Sequence, residues 1–275
     1  MKTFFKIFIP IALLVFVFVG TSVKPATAFK NYSNMEMVPA GEFWMGSAPE
    51  ETKGFKEKYG NREPYKSYPF EKEQPKRKVF LKAFLIDRHE VTNREYLEFV
   101  AATGHKPPVN WEGGSPSSEQ LDHPALFISQ PEAAAYARWA GKRLPTEEEW
   151  EKAARGPDGL IFPWGNAFDP FKAATAESDL AFISGALCAI HSGNRVEIAP
   201  GDVSPYGVHD MAGNVREWTS SASQESPSLV VIKGGSWVDL SVNARAAHRE
   251  YVPRDGTSHL IGFRCVVDAD EASSH

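Results

Sequence analysis

The alternation of apolar and polar residues predicts short strands near the start of the chain. Residues 37–47 (MVPAGEFWMGS) alternate apolar and small positions around Pro-Ala-Gly, a pattern typical of two short strands with a turn between them. Residues 78–86 (KVFLKAFLI) form the clearest strand-like stretch. Residues 48–76 are charged and rich in glycine, proline and tyrosine, so we expect a long surface loop there.

Three helices are predicted in the middle of the chain. Thr92 with Glu95, and Thr146 with Glu149, have the spacing of a capping box, in which the two side chains satisfy the first free amides of a helix. Pro131 suits the first turn of the remaining helix, and apolar residues recur at helical spacing in all three segments.

Helical periodicity disappears after residue 157. Short apolar runs, such as 229–232 and 263–267, alternate there with glycine, asparagine, aspartate and proline. So much irregular backbone must satisfy its amides through side chains, ordered water or a metal ion. The whole pattern predicts an α+β fold, organised as one irregular, loop-rich domain.

The first 28 residues have the pattern of a secretory signal. Residues 7–19 are almost wholly apolar, and the sequence Ala-Thr-Ala at 26–28 is what signal peptidase accepts. An uncleaved membrane anchor is the alternative, but a span needs roughly 20 apolar residues and this run is shorter and contains Pro10. We therefore predict a signal peptide at 1–28 and a mature domain at 29–275 that is periplasmic or secreted and, after cleavage, has no contact with a membrane.

The net charge bears on the possible partners of the protein, and the cysteine content bears on a possible disulfide. The formal net charge is -5 and no basic stripe is present, which argues against a nucleic-acid partner. The two cysteines, Cys188 and Cys265, are far apart in sequence. In an oxidising compartment they could form a disulfide, while a buried free thiol is the other possibility.

Seven stretches, in order along the chain, resemble motifs of the formylglycine-generating enzyme (sulfatase-modifying factor) family. They are MVPAGEFWMGS at 37–47, FLIDRHEVTNREYLEFV at 84–100, AAYARWAGKRLPTEEEWEKAARG at 134–156, FPWGN at 162–166, YGVHDMAGNVREWTSS at 206–221, KGGSW at 233–237 and GFRCV at 262–266. The resemblance implies a single domain with a variant C-type-lectin-like fold that is low in regular structure. It identifies the chain as a divergent exported member.

The family's namesakes oxidise a substrate cysteine to formylglycine with copper held by two cysteines in the loop after the GGSW motif. Here Asp239 and Ala244 stand at those two positions, and no cysteine lies between Ser236 and Cys265. Copper(I) selects soft thiolate ligands, and a carboxylate does not replace them.

The resemblance therefore implies a maturation or oxidation factor that acts on a peptide or small molecule without being a cysteine-to-formylglycine oxidase. It identifies no redox metal, and whether the protein is an enzyme stays open. The alternative is a non-catalytic, lectin-like module of the cell envelope that binds a ligand or partner.

A calcium site is also implied by the resemblance. The loop matches the family's calcium loop at Asp210, Gly213, Val215 and Glu217. Two carboxylates and two backbone carbonyls would supply the hard oxygen ligands that calcium prefers. The alternative is that Asp210 and Glu217 cap turns and pair with nearby arginines.

The family's active cleft corresponds to the segment around residues 236–248. An Asp-His pair there could act as acid and base, or could be an ordinary hydrogen bond. The candidate catalytic residues are Ser236, Asp239 and His248. The candidate substrate-binding residues are Trp237, Arg245, Arg216 and Asn214.

Tryptophan is abundant, with 7 residues in the chain. Six lie in the family motifs and are predicted to belong to the core. Trp111 lies in a loop, so we expect it to be exposed and to be a weak candidate for ligand contact.

Overall fold

Short strands and helices joined by long loops make up the part of the chain that the computed structural model describes, residues 32–61, 65, 68–178, 199–223 and 226–272. The predicted signal peptide and Cys188 lie outside these residues. Within the described ranges, no helix combines the length and the apolar character needed to cross a bilayer.

The strands are β1 Met35–Val38, β2 Gly41–Met45, β3 Arg77–Leu81, β4 Phe84–Asp87, β5 Arg216–Ala222, β6 Leu229–Lys233, β7 Arg249–Pro253, β8 Ile261–Gly262 and β9 Val266–Asp268. The helices are α1 Pro49–Tyr59, α2 Asn93–Thr103, α3 Gln130–Trp139, α4 Glu147–Arg155 and α5 Ala269–Ala272. Short 3-10 turns cover Phe70–Glu73, Glu112–Gly114 and Ser118–Gln120.

The strands form three small sheets. One has the order β1-β4-β9, the second is the β2-β3 pair, and the third has the order β7-β6-β5-β8. Only the β5–β8 pair is parallel among these described ladders. The two strands predicted within 37–47 are confirmed, but each pairs with a later strand, and the predicted strand at 78–86 is divided into β3 and β4.

The predicted capping boxes are confirmed. The Thr92 amide donates to the Glu95 carboxylate over 2.8 Å, and the Glu95 amide donates to the Thr92 hydroxyl over 3.3 Å. Thr146 and Glu149 make the same pair of bonds over 2.9 and 3.2 Å. These bonds satisfy orphan amides and fix where α2 and α4 begin.

The predicted surface loop at 48–76 is wrong. The segment contains α1 and the turn Phe70–Glu73, and it buries Tyr59 and Phe70 against Val242 in a hydrophobic cluster. Helix α1 buries only Thr52 and Tyr59 on its inner side, so the apolar spacing was too sparse to reveal it.

Two tryptophan predictions are also corrected. Trp111 is only 4% exposed, and its indole N–H donates to the Asn93 side-chain oxygen over 3.0 Å within the cluster around α2 and α3. Trp44, predicted to be core, is 38% exposed on β2. Because alternate residues of a strand face opposite sides, the buried neighbours Phe43 and Met45 turn Trp44 outward.

The loop between β6 and β7, residues 234–248, is anchored in the interior along its length. Val242, Ala244 and Ala246 each belong to a different buried hydrophobic cluster. A loop with three such anchors loses little further entropy when it holds a ligand, which makes it suited to position a site.

Candidate functional site

A cavity of about 340 Å³ lies where the 234–248 loop meets β7 and the segment around residue 68. Its polar walls come from strands and from loops that are distant in sequence. The lining includes Tyr65, Tyr68, Lys72, Arg216, Asp239, Asn243, Arg249, Glu250 and Tyr251.

Arg216, at the start of β5, links two carboxylates of the cavity wall. Its guanidinium donates to both oxygens of Asp239, over 2.9 and 2.6 Å, and lies 3.3 Å from Glu250. Burial opposes the charge of Arg216, but Asp239 and Glu250 raise its pKa above the ordinary value. The three side chains therefore form a fixed, charged edge of the cavity.

Asp239 is held by the turn that precedes it. The Ser236 hydroxyl and amide donate to the same Asp239 oxygen over 2.6 and 2.8 Å, and Ser236 is fully buried. Gly234 supports this turn with a φ of +78°, a conformation that L side chains rarely adopt. Ser236 thus orients Asp239 and does not itself line the cavity.

Asp239 and His248, considered above as a possible acid–base pair, have different partners in the structure. In the described part of the chain, the carboxylate partner of His248 is Glu250, whose oxygen lies 3.2 Å from the His248 Nε2 atom. Asp239 is engaged by Ser236 and Arg216. His248 lies directly before β7 and Glu250 two residues later, so the strand period of two brings them to the same side.

A chain of buried polar contacts continues from His248. The Tyr68 hydroxyl contacts the Nδ1 atom of His248 and donates its proton to Glu73 over 2.9 Å. Because that proton is used, the Nδ1 atom of His248 must supply the hydrogen in the contact with Tyr68. Burial and the nearby Glu73 raise the pKa of Tyr68 well above its ordinary value, which keeps the phenol protonated.

Glu73 ends this chain in a buried ion pair. Both of its oxygens accept from Arg245, over 2.6 and 2.7 Å. Burial would raise the pKa of Glu73, but Arg245 holds it below the ordinary value. Arg245 is 2% exposed and does not line the cavity, so its observed contacts are structural.

Glu250 and Tyr68 are the groups of this hydrogen-bonded series that line the cavity. Burial would raise the pKa of Glu250, but the hydrogen bond from His248 and the charges of His248 and Arg216 lower it to about 2. At neutral pH the Glu250 carboxylate is therefore ionised and can accept hydrogen bonds from a bound ligand. His248 is buried behind this wall and contacts Glu250 from the interior.

Two other predicted substrate-binding residues lie elsewhere. Asn214 is fully buried, and its amide donates to Glu90 over 3.1 Å. Trp237 is half-buried, with its ring 6.4 Å from that of His259. Neither lines the cavity, which leaves Arg216 as the predicted substrate-binding residue that does.

Sequence reasoning missed several cavity residues. Tyr68 and Lys72 were hidden because their segment was interpreted as a surface loop. Glu250 could have been found, because the pattern His248-Arg249-Glu250 in a strand places the first and third side chains together.

The predicted calcium loop is buried and rich in carboxylates. Both oxygens of Glu217 accept from Arg264, over 2.7 and 2.8 Å, and one also accepts from the Trp150 indole over 2.8 Å. This is the ion-pair arrangement that the alternative interpretation expects for Glu217. Asp210 adopts a φ of +59° and, like Gly213 and Val215, is buried.

Two further buried acids surround this loop. Within the described ranges, one oxygen of Glu90 and one of Asp202 have no hydrogen-bond partner. Burial, and then the charge of Asp210, raises the pKa of both carboxyl groups well above the ordinary value. Orphaned buried oxygens and an excess of acids over the nearby Arg264 fit the charge of a bound divalent cation.

In the described residues, no three histidine, cysteine, aspartate or glutamate side chains converge as metal ligands. The predicted calcium site draws two of its four ligands from the backbone carbonyls of Gly213 and Val215. Such a site needs only two carboxylate side chains, those of Asp210 and Glu217.

Cys265 is remote from the cavity. It is fully buried in the cluster around α2 and α3, and its amide donates to Asp87 over 2.8 Å. Burial, and then the charge of Asp87, raises the pKa of the thiol well above the ordinary value. A protonated, enclosed thiol is a poor metal ligand. Pairing with Cys188 stays open, since Cys188 lies outside the described residues.

Comparison with known proteins gives consistent matches. The model of the sulfatase-modifying factor enzyme 1-like domain matches residues 21–269. An inactive C-alpha-formylglycine-generating enzyme 2 of Bos taurus is 30% identical over 86% of this chain and 88% of its own length. The formylglycine-generating enzyme of Thermomonospora curvata is also 30% identical, over 85% of this chain and 93% of its own.

Solved structures show the same architecture. PvdO from Pseudomonas aeruginosa aligns with a TM-score of 0.64 and 26% identity over 88% of this chain and 98% of its own. CarF aligns with a TM-score of 0.59 and 19% identity over 86% of this chain and 98% of its own, a likeness of fold alone. The predicted fold class, an irregular α+β fold of the C-type-lectin-like variety, is confirmed.

Proposed function

The chain belongs to the family of sulfatase-modifying factor enzyme 1-like domains, and we propose that it is an exported maturation or oxidation factor. Its substrate would be a peptide or small molecule bound in the 340 Å³ cavity beside Arg216 and Glu250. The reaction would differ from the oxidation of cysteine to formylglycine.

The main support comes from the residues at the two positions where the family's namesakes carry copper-binding cysteines. Asp239 is tied to Arg216 and Ser236. Ala244 is fully buried in a hydrophobic cluster with Phe162, and its backbone packs so closely that a Cβ on Gly235 would lie 3.3 Å from it. Neither position offers a soft ligand for copper(I).

The cavity keeps groups that can recognise and act on a ligand. Tyr251 carries Lys72 over its ring at 4.9 Å and Arg249 at 5.3 Å, which forms a cationic and aromatic wall. Glu250, backed by His248, supplies an ionised acceptor near this wall. Such a mixture suits a ligand that carries both an acidic group and hydrogen-bond donors.

A non-catalytic binding module is the second candidate, and one observation favours it. Arg216 already neutralises Asp239 and contacts Glu250, so the charged groups of the wall are largely satisfied by each other. A wall of this kind can hold a ligand without doing chemistry. A relative named as an inactive formylglycine-generating enzyme and one named as a formylglycine-generating enzyme are both 30% identical to this chain.

A deletion strain of the producing organism distinguishes the two candidates. Mass spectrometry of exported peptides and small molecules is compared after complementation with wild-type protein, Glu250→Gln, His248→Ala or the control Glu57→Gln, which changes an exposed residue of α1. A maturation factor predicts that a precursor accumulates in the deletion and that wild type and the control, but neither cavity variant, convert it. Full conversion by both cavity variants, at equal protein levels, would contradict catalysis.

A structural calcium ion is the remaining part of the proposal. Asp210, Glu217 and the backbone carbonyls of Gly213 and Val215 would hold it, and its charge would balance the buried acids Glu90 and Asp202. The support is the pair of orphaned carboxyl oxygens in this interior. The ion would fix the loop that leads into β5 and thereby the place of Arg216.

A further inference from the structure

The cavity of about 340 Å³ is lined by three consecutive residues of β7, which are Arg249, Glu250 and Tyr251. Successive side chains of a strand point to opposite sides. Arg249 and Tyr251 therefore lie on one side of β7, called here the cationic side, and Glu250 lies on the other, called here the acceptor side. The cavity reaches both sides of the strand, and each side has its own chemistry.

The cationic side lacks an acceptor. Lys72 lies over the Tyr251 ring at 4.9 Å, is exposed, and forms no ion pair with a carboxylate of the described ranges. Arg249 donates from its Nη2 atom to Glu147 over 2.9 Å, but its Nε atom is buried and has no hydrogen-bond partner within those ranges. A buried donor without an acceptor costs free energy, and a carboxylate is the acceptor that suits two cations.

The acceptor side lacks a donor at Asn243. Asn243 is 3% exposed and lines the cavity, and its side-chain nitrogen lies 3.5 Å from the Oε1 atom of Glu250. Because the ionised Glu250 carboxylate only accepts hydrogen bonds, this contact fixes the orientation of the Asn243 amide. The Oδ1 atom is turned away from Glu250, and this buried oxygen has no hydrogen-bond partner in the described part of the chain.

Glu250 adds acceptor capacity to the same side. Arg216 donates to both oxygens of Asp239 and lies 3.3 Å from Glu250, so two carboxylates share one guanidinium. Each carboxylate oxygen accepts more than one hydrogen bond, so Glu250 can still bind a donor of a ligand. An ammonium group, with three N–H donors, can satisfy Glu250 and Asn243 together.

We infer that this cavity binds a small zwitterion that carries one carboxylate and one ammonium group. The carboxylate lies against Arg249 and Lys72. The ammonium group lies against Asn243 and Glu250. Since the two groups of residues lie on opposite sides of one strand, several bonds must separate the two charges of the ligand, as in an ω-amino acid. The inference names the ligand class for the cavity of the proposed function and rests on that proposal for the place where the ligand binds.

5-Aminopentanoate is the probe, because four methylene groups separate its carboxylate from its ammonium group. Isothermal titration of the mature protein compares it with pentanoate and pentylamine, each of which lacks one charged group, and with glycine, whose charges are one carbon apart. We expect saturable binding of 5-aminopentanoate, about tenfold tighter than that of pentanoate or pentylamine, since a hydrogen bond to a charged group contributes at least that factor. Glycine should bind more weakly than 5-aminopentanoate.

Two variants test the two sides separately. Lys72→Gln should weaken 5-aminopentanoate about fivefold, the upper range for one exposed charge pair, without weakening pentylamine. Asn243→Ala should weaken 5-aminopentanoate and pentylamine without weakening pentanoate. The control Lys53→Gln, at an exposed lysine of α1 outside the cavity, should retain wild-type affinity. Lys72 is exposed, so its variant should fold, and a thermal melt of each variant verifies this.

The inference would be overturned by the absence of saturable binding of 5-aminopentanoate, by equal affinity for glycine, pentanoate or pentylamine, or by wild-type affinity in Lys72→Gln or in Asn243→Ala. The titration involves no turnover, so these results leave the outcome of the deletion-strain experiment standing. Binding as expected, with no precursor accumulating in the deletion strain, would refute the maturation role and support this ligand class.

Discussion

At the scale of single residues, Glu250 and Tyr68 connect the cavity with the interior. Glu250 faces the ligand space and contacts Arg216 and His248, while Tyr68 joins His248 to the buried Glu73–Arg245 pair. A substitution at Glu250 or at Tyr68 removes a contact that orients the His248 ring. The network therefore couples the cavity wall to a buried ion pair.

Tyr68→Phe tests this coupling. The substitution keeps the ring but removes the hydroxyl, so His248 loses its acceptor and Glu73 loses a donor. We expect the free energy of unfolding to fall by about 1–3 kcal/mol, the cost of leaving buried polar groups unsatisfied. Urea denaturation measures it, with Tyr251→Phe, at a half-buried tyrosine of the same cavity, as the control. Equal stability of the two variants would contradict the network.

Individual site residues were only partly predictable from the sequence. Arg216 and Asp239 line the cavity, as the motif positions implied, since motifs mark positions along the chain that loops bring together. Asn214 was misplaced because its left-handed backbone, with a φ of +62°, directs the side chain towards Glu90. No sequence pattern shows whether the Asn214 side chain points towards the cavity or towards Glu90.

At the scale of elements, a buried ion cluster on α4 connects three parts of the fold. Glu151 accepts from Lys233 of β6 over 2.8 Å, from Arg155 over 2.8 Å, and from the Gly46 amide beside β2 over 2.6 Å. All three side chains are almost fully buried. The cluster holds α4 against both sheets.

Glu151→Gln should destabilise the protein by about 3–5 kcal/mol, because it leaves Lys233 and Arg155 as uncompensated buried charges. Glu148→Gln, on a half-buried position of the same helix, is the matched control and should change little. Urea denaturation of both variants measures the change in the free energy of unfolding. A fall of less than about 1 kcal/mol in the free energy of unfolding of Glu151→Gln would contradict a buried ion cluster that is closed to water.

The same cluster predicts an acid response. Burial would raise the pKa of Glu151, but Lys233 and Arg155 lower it to about 2. The folded state therefore binds this proton less readily than the unfolded chain, whose glutamate pKa is about 4.3. The stabilisation is present above pH ~4.3 and is lost as the pH falls towards about 2. The free-energy difference between wild type and Glu151→Gln should shrink over that interval.

The loop 210–217 carries the calcium prediction. Calcium should raise the melting temperature of chelator-treated protein, since an ion that binds only the folded state stabilises it. Asp210→Gly should remove the rise while accommodating the positive φ of that position. The exposed control Asp255→Gly should retain it. A melting curve of wild type that calcium leaves unchanged would contradict the assignment.

Helices were predicted correctly where hydrogen bonds between residues close in sequence determine where they begin. The capping boxes at Thr92 and Thr146 place α2 and α4 correctly because their bonds join residues three apart. Helix α1 and the burial of Trp111 depend on contacts with distant loops, which no local pattern contains. The same holds for the pairing of β1 with β4 and of β2 with β3.

At the scale of the whole molecule, the family fold carries Asp239 and Ala244 at the two positions where the resemblance implies copper-binding cysteines. Asp239 stabilises a charged cavity edge, and Ala244 packs in the interior. The cavity of about 340 Å³ lies beside Glu250 and Tyr251. We therefore propose that the chain keeps the family scaffold without the copper-thiolate chemistry of the namesakes.

The predicted export of the full chain has a direct test. Fractionation of the producing organism should place the protein outside the cytoplasm, and Edman sequencing should begin at Phe29. Substituting Ala26 and Ala28 with bulky residues should block cleavage, because signal peptidase needs small side chains there. An intact N-terminus in wild-type protein would contradict the predicted signal peptide.

The central claim is that this cavity cannot oxidise cysteine by the copper-thiolate route. The measurement incubates the mature protein with copper(I), oxygen and a sulfatase-type cysteine peptide, followed by mass spectrometry. The formylglycine-generating enzyme of Thermomonospora curvata serves as the positive control. We expect an unchanged peptide with this protein and an aldehyde with the control. Conversion of the cysteine to formylglycine by this protein, together with tight copper(I) binding, would refute the proposal.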